Sequence, residues 1–485
     1  MATLAQSPLI RSRPMIRPTL AIGFAAAVIA ALVQSFLVPI DCDVSWLITV
    51  NEKMLAGQRL YIDIIEVNPP ASIWLYTPFV WLAQQLQLRP EAVIAAAFIA
   101  GALATSAFAL RISAHLRRPP NPLVFFALLC FVELLLPLGT FAQREHAAVL
   151  FAAPALTALA VFAEKGTLSL PSRVIAGLAA GLVIAIKPHF ALAIVPAVAL
   201  AAWQARSVKP MIPAAAAAIA VVALYTTAIL VFTPAYLQLL PMLAATYLPL
   251  HDYWLTLLRG PVVIVPLAIY ALALFLRPGR VAALPAMFLV ASAGFAVAGL
   301  IQGKGYLNHA LPGMAFGFVG LVLLATEPGM ECGRRNFVLV ATGALACLEL
   351  YAMGSIRPIP GLAEAVARVA PPRPSIITLG PDLLTGHPLV RNVGGRWAGS
   401  RAGLYIAVGA HSQLSAAHPD PRLRRWYEAD VDAFAADVRR ERPDIILVDA
   451  RPELAWLRKE PKIQSAIAAY RPRARAGDVE VWVRR

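Results

Sequence analysis

Two carboxylates two residues apart, Asp41 and Asp43, follow directly on an apolar run covering about residues 20–40. A carboxylate at the edge of an apolar phase is partly desolvated, which favours its protonated form and suits it to take a proton from a bound hydroxyl. The alternative is that both simply end a helix in water. The stretch continues through Gly57 and Tyr61 to Asp63, then Glu66, Asn68, Pro69 and Pro70. A second polar group, Gln143, Arg144, Glu145 and His146, stands between two apolar runs. An ionisable side chain at the bilayer centre costs about 2.5–3.5 kcal/mol or more, so such residues at a helix mouth require a function or a partner. An Arg144–Glu145 interfacial pair that only anchors the helix is the plainer reading.

Lysine is scarce, with seven residues among the 42 cations, and two of them lie at breaks in apolar runs. These are Lys187, followed by Pro188 and His189, and Lys304, between Gly303 and Gly305 and shortly before His309. A cation beside a Pro or Gly break suits a phosphate, because the interrupted backbone also offers free N–H groups. For Lys304 the alternative is a lysine that snorkels to the interface. His251, Asp252, Tyr253 and Trp254 could form a sugar platform or an interfacial belt. Arg396, Trp397 and Arg401 could meet an acceptor, with a structural role as the default.

The elements that must carry these residues are set by hydropathy. The chain of 485 residues is 59% hydrophobic and 14% charged, against about 25% charged in soluble domains. Apolar runs lie at about 20–40, 71–88, 92–110, 122–138, 147–163, 174–186, 190–203, 211–233, 260–276, 282–301, 309–326 and 337–354. The first is long enough to span about 30 Å of hydrocarbon and too long for a signal peptide core. The short pair meeting at Lys187 reads as two tilted helices flanking a cavity. The net charge of +15 raises the thought of nucleic acid. The cations, however, sit in short clusters between apolar runs, which is how a membrane protein is oriented. These clusters are Arg11/Arg13/Arg17, Arg111/Arg117/Arg118, Lys165/Arg173, Arg206/Lys209, Arg277/Arg280 and Arg334/Arg335. All fall on the cytoplasmic side if 71–88 does not cross. Eleven crossings then put 41–70, 139–146, 187–189, 234–260, 302–309 and the C-terminus outside. The four cysteines show no metal or disulfide spacing.

From about Arg357 the composition becomes that of a soluble domain. Ser375–Leu379, 444–449 and 479–483 read as strands and 426–440 as a helix. The expected architecture is an all-α polytopic membrane protein of about 11–12 segments with a small C-terminal α/β extramembrane domain. The division is residues 1–354, with a first outer loop at 41–70, and 355–485.

An acidic residue just after the first helix, then Gly57, Tyr61 and Asp63, then Asn68-Pro69-Pro70 opening an aromatic apolar segment, resembles the first outer loop of the GT-C glycosyltransferases. That superfamily includes the protein O-mannosyltransferases, the lipid A aminoarabinose transferases and the rhizobial lipopolysaccharide glycosyltransferases. The likeness is close over about residues 41–80 and loose over the rest. It implies a catalytic carboxylate after the first helix. Asp41 and Asp43 both match, and Asp43 is favoured because Trp46 follows where the family carries an aromatic. It also makes Glu145 the second acidic residue of the site. Asn68 departs from the pattern, since relatives often carry Lys or His there.

The reading that follows is an inverting glycosyltransferase of the bacterial inner membrane with its active site and C-terminal domain in the periplasm. Its donor is a sugar on a polyprenyl phosphate and its acceptor an envelope lipid, glycan or protein. Asp43, Glu145 and Asp41 are the catalytic candidates. Arg144, His146, Lys187, His189, Glu66, Asn68, Lys304 and His309 are the substrate-binding candidates. No cofactor is required, a divalent metal is possible, and membrane lipids rather than nucleic acid are the partners. A polytopic transporter or lipid flippase is the alternative, although such proteins usually show paired repeats and midplane sites.

Overall fold

The computed structural model describes residues 13–250, 254–277, 279–415 and 419–485. Arg11 and the His251, Asp252, Tyr253 group therefore lie outside the described residues. The chain condenses into two units. The first is built from the described residues of 1–37, 95–224 and 253–355, the second from those of 38–94, 225–252 and 356–485.

In the first unit the chain enters as α1 (Arg13–Leu32), which ends in a π turn at Val33–Leu37. After the second unit's α2 (Cys42–Leu55), α3 (Pro70–Trp74) and α4 (Thr77–Leu86) come α5 (Pro90–Ser113) and α6 (Pro122–Cys130). Then follow α7 (Arg144–Ala163), α8 (Leu170–Ile186), α9 (Ala191–Ala205) and α10 (Ile212–Phe232). Beyond the second unit's α11 (Ala235–Thr246) lie α12 (Trp254–Arg259), α13 (Pro261–Phe275), α14 (Ala283–Ile301), α15 (Leu307–Ala325) and α16 (Cys332–Gly354). Eight of the described helices are long and apolar enough to cross a membrane, and four more apolar helices are shorter. Burial separates the centre of the bundle from its rim. In α7 and α15, 94% and 89% of the apolar window is buried, whereas α10 buries none of it. The two central helices are thus sheathed by protein, and α10 presents its Ala, Val and Leu side chains outward as a lipid-facing helix does.

Without a hydrophobic force between helices in lipid, close approach depends on small residues. A methyl group at Gly177 of α8 would lie 2.1 Å from the Ala214 carbonyl oxygen of α10, and Gly181, one turn on, is similarly tight against Ala218 and Val221. A methyl group at Gly294 of α14 would likewise lie 2.1 Å from the Leu192 carbonyl oxygen of α9. Backbone therefore touches backbone at both crossings.

In the second unit, 41–70 is not simply a loop, because residues 42–55 form α2. Asp41 starts it: its Oδ1 accepts from the amides of Asp43 (2.8 Å) and Val44 (3.3 Å), the N-cap role for which Asp is among the best residues. Residues 44–51 of α2 are all buried, which an exposed loop would not allow. Asn51 Nδ2 donates to the Ile73 carbonyl at 3.1 Å, and Thr77 Oγ1 donates to Asn51 Oδ1 at 2.5 Å. These bonds tie α2 to α3 and α4. The latter two helices are five and ten residues long, short of the ~20 residues a crossing needs.

The second unit continues with α17 (Leu362–Ala367), β1 (Ser375–Leu379), α18 (Leu383–Gly386), α19 (Leu389–Asn392), β2 (Arg396–Trp397), α20 (Tyr405–Gln413) and α21 (Leu423–Glu441). It closes with β3 (Ile445–Asp449), α22 (Ala455–Lys459), α23 (Pro461–Ile467), β4 (Tyr470–Ala476) and β5 (Val479–Arg484). The sheet order is β2-β1-β3-β5-β4. β1 pairs in parallel with β2 and β3, and the antiparallel β5 and β4 complete the edge. Ile377, Leu379, Ile446 and Val448 point into a core with Val431, Phe434 and Val438 of α21.

Substituting Gly294 by Ala should lower the unfolding temperature of the detergent-purified protein, since overpacking of this kind typically costs about 1–3 kcal/mol. A methyl group at Gly343 of α16 would meet nothing within 4 Å, so Gly343→Ala should leave stability unchanged or slightly raised.

Candidate functional site

Four segments of the first unit bring polar groups together at one end of the bundle. α7 begins with Arg144, Glu145 and His146, all buried. The α8–α9 connection breaks at Lys187, whose φ of −144° and ψ of 109° leave the helix before a single turn at Pro188–Phe190. α14 ends at Ile301 with Gln302 as its C-cap, and α15 begins with Leu307, Asn308 and His309. Proline explains the break, because Pro188 has no N–H and disfavours helix at the residue before it.

The centre of the group is Lys187. Its Nζ donates to Glu145 Oε1 at 2.5 Å and to Gln302 Oε1 at 2.8 Å. His309 Nε2 stands 3.7 Å from the same Glu145 oxygen. Beside this, Asn308 Nδ2 donates to Gln143 Oε1 at 2.7 Å. Three atoms of the cluster, Glu145 Oε2, His309 Nδ1 and His189 Nε2, have no hydrogen-bond partner among the described residues. Buried polar atoms are otherwise almost always bonded, so these three are open to a ligand or to water. Lys304 is also buried, between two glycines whose φ values of 66° and 63° are left-handed. Such a conformation is cheap only for glycine.

His146 has a different task. Its Nδ1 accepts from the Ala142 amide at 2.9 Å and its Nε2 reaches the Glu133 carbonyl at 2.6 Å. With both nitrogens held by backbone, the ring has none left for a substrate and instead fixes the start of α7. Glu133, within the π turn that continues α6, accepts on Oε2 from Thr105 (3.0 Å) and Ser106 (2.8 Å). Neither this buried carboxyl nor the Gln302 contact was singled out by sequence reasoning. A carboxylate in an apolar run was the signal that could have found Glu133.

In the second unit Asp43 lies in the first turn of α2 and is half-buried. Asp41 is buried and its carboxylate caps the helix. Glu66 is buried too, and it joins three pieces of chain. One oxygen accepts from Trp46 Nε1, and the other from the Asn68 amide (2.8 Å) and Asn68 Nδ2 (2.6 Å). The Tyr61 hydroxyl donates to the Asn68 carbonyl at 2.5 Å. Glu66 and Asn68 are thus bonded to their own unit, and they hold the Pro69-Pro70 turn against α2. Asp63 forms an exposed bracket with Arg59 (3.0 Å), which holds its carboxyl below the usual range. Arg396 pairs with Glu441 at 2.8 Å, Trp397 is buried, and Arg401 pairs with Asp430, so this stretch is structural.

Behind Trp46 sits His387, fully buried, with Nδ1 3.1 Å from Ser45 Oγ and its ring 4.7 Å from that of Trp397. Burial, and then the Arg391 charge, hold its pKa well below the ordinary value. Among the described residues no three His, Cys, Asp or Glu side chains converge as a metal ion requires.

No protein-family model and no curated protein matches the chain. Solved structures match in shape. ArnT from Cupriavidus metallidurans bound to undecaprenyl phosphate aligns with a TM-score of 0.50 at 14% identity, over 96% of this chain and 97% of ArnT. The archaeal oligosaccharyltransferase AglB from Archaeoglobus fulgidus, in complex with an inhibitory peptide and a dolichol-phosphate, gives 0.45 and 13% over 93% and 72%. The mycobacterial arabinofuranosyltransferase AftD gives 0.46 and 16% over 96% and 40%. The match to ArnT, end to end in both chains, gives the fold as GT-C, and the chain is a multi-pass membrane protein.

Removing one member of a fully buried ion pair leaves the other charge uncompensated, at a cost of about 3–5 kcal/mol. Lys187→Met should therefore destabilise the protein strongly in thermal unfolding, and adding Glu145→Gln should recover part of the loss. A His387 held neutral binds fewer protons folded than unfolded, so stability should fall as pH drops below about 6.5. In His387→Gln that part of the pH dependence should vanish.

Proposed function

We propose that this chain, built on the GT-C fold, is an inverting glycosyltransferase that takes its sugar from a polyprenyl phosphate and delivers it to an envelope lipid, glycan or protein. The observation that carries the reading is a set of buried polar atoms at the polar end of the first unit, Glu145 Oε2, His309 Nδ1 and His189 Nε2, that have no hydrogen-bond partner among the described residues and stand around the Lys187 ammonium. A buried cation beside such atoms suits a phosphate whose negative charge grows as the sugar leaves. Glu145 then works by holding Lys187 and His309 in place.

In the step itself the acceptor oxygen attacks the anomeric carbon, and the bond from that carbon to the phosphate oxygen breaks. The phosphate departs with the electron pair, and the acceptor proton passes to Asp43. A single displacement inverts the anomeric configuration. Asp43 is preferred over Asp41 because Asp41 already caps α2. No nucleotide site is needed, since the donor arrives on its lipid.

α7 is 20 residues long, so its polar start and its Glu164-Lys165 end are about 30 Å apart at 1.5 Å per residue. The Lys165 end lies among Arg117, Arg118, Arg206 and Arg280. By the positive-inside rule that end is cytoplasmic, and the Glu145–Lys187 end faces the periplasm of an inner-membrane protein. A cysteine placed at 117 should resist labelling from outside, and one at 411 should accept it. Labelling at 117 would reverse the assignment.

For the base, Asp43→Asn should lower transfer from a polyprenyl-phosphate sugar by about 10²–10⁴, with expression unchanged. Asp41→Asn should stay near wild type, because Asn caps a helix as well as Asp. A dead Asp41→Asn beside an active Asp43→Asn would move the base, and full activity in both would remove these residues from the reaction.

A further inference from the structure

At the opposite end of the first unit from Lys187, the helix ends surround a cavity of about 1450 Å³. It is lined by the turns joining α5 to α6, α7 to α8, α13 to α14 and α15 to α16, and by the end of α9. Five cations face it: Arg117, Arg118, Lys165, Arg206 and Arg280. Its two carboxylates are turned to the main chain, Glu164 accepting from the Arg117 amide at 2.7 Å and Glu327 from the Ala282 amide at 3.0 Å. Among the described residues none of the five cationic side chains makes a hydrogen bond or a close ion pair, and Arg118 acts on Glu327 only through its charge. Five cations against two carboxylates leave three positive charges around one cavity.

We propose that this cavity binds the headgroup of an anionic phospholipid that carries two phosphates. Orienting the helices requires positive charge alone and would be served equally by a flat, solvated surface. A cavity and an uncompensated group of arginines are more than that task needs. The backbone supports the same view. Lys165 and Arg206 occupy left-handed positions, with φ of 59° and 53°, two residues after α7 and directly after α9. Helices usually place glycine or asparagine in such a conformation. A cation stands at both sites instead.

Two features favour a lipid over a free phosphate. Trp203 lines the cavity with 76% of its surface exposed, and Val124, also exposed, lines it too. An exposed indole at the polar boundary of a membrane helix belongs at the headgroup level. The lining thus combines cations with exposed apolar side chains, the two kinds of group a phospholipid needs. Three excess charges also exceed what one phosphate neutralises, and basic pockets between membrane helices are a known kind of site for headgroups with more than one phosphate.

The test uses the full-length, delipidated protein in neutral detergent. Cardiolipin should raise its unfolding temperature and remain bound in native mass spectrometry, while phosphatidylcholine should do neither. Inorganic pyrophosphate at the same phosphate concentration should give little shift. Equal stabilisation by pyrophosphate would make this a soluble-anion site, and equal binding of phosphatidylcholine would remove the charge argument; either overturns the proposal. Each of Arg117→Gln, Arg206→Gln and Arg280→Gln should weaken cardiolipin binding by roughly fivefold, the effect of about one cation at a membrane surface. Unchanged binding in all three would place the lipid elsewhere. A photoreactive cardiolipin analogue on the wild-type protein does not depend on any variant folding. It should label the segments 116–121 and 203–206, and labelling confined to other helices would overturn the assignment.

Discussion

Glu145 and Lys187 form the contact on which the first unit is organised. Neither charge is tolerable alone between apolar helices, and together they are acceptable only because their geometry is close and further polar groups join them. Lys187 can reach Glu145 only where the α8–α9 rod is broken, so Pro188 is part of the same arrangement. Gln302 and His309 bring in α14 and α15. Four segments are thus registered along the membrane normal at one level. The small-residue crossings at Gly177, Gly181 and Gly294 hold the helices at the distance that this register needs.

Much of this was legible in the sequence. Periodicity does not reveal membrane helices, but hydropathy does, and the apolar runs correspond to the described helices with few exceptions. The Lys187-Pro188-His189 break was legible because proline and two polar residues have a local meaning wherever they occur. Three strands of the C-terminal sheet, β1, β3 and β5, were legible, β3 as a buried apolar run and β5 from alternation. Partners were not. Lysine at a helix break suggests a phosphate ligand, yet the structure gives Lys187 a carboxylate and an amide from segments far away in sequence. His146 looked like a candidate for substrate and proves to be a backbone clamp, because a histidine's two nitrogens carry no sequence mark of what will meet them. Glu66 and Asn68 likewise face each other and Trp46. The 42–55 helix was hidden for a related reason: its polar cap and its indole suggested chemistry before they suggested a helix start.

The second unit shows how two neighbouring acids acquire separate roles. Asp41 precedes the first helical residue, where the free amides of α2 converge, and its side chain is drawn to them. Asp43 sits inside the first turn, where its own backbone is helical. Two residues of chain thus give neighbouring acids different places, one as the cap of α2 and one within its first turn. The Glu66 bracket then fixes α2 by the face that carries Trp46, and the buried His387 backs that face.

The burial of α7 has a consequence for how the protein is made. Chains enter the membrane segment by segment during synthesis, and α7 is produced before the segments of α8, α9, α14 and α15 that later meet Glu145 at its polar start. Lys187 follows Glu145 by 42 residues, which at roughly 5–20 residues per second is a delay of a few seconds. During that interval a helix suited to a protein interior is bathed in lipid, with Arg144, Glu145 and His146 at its mouth. Its Ala- and Leu-rich body makes the wait tolerable, since nothing in residues 147–163 except Thr157 is polar. The placement of every charge at one extremity, rather than midway, lets the unfinished helix keep them at the water boundary until α8, α9, α14 and α15 arrive to enclose them.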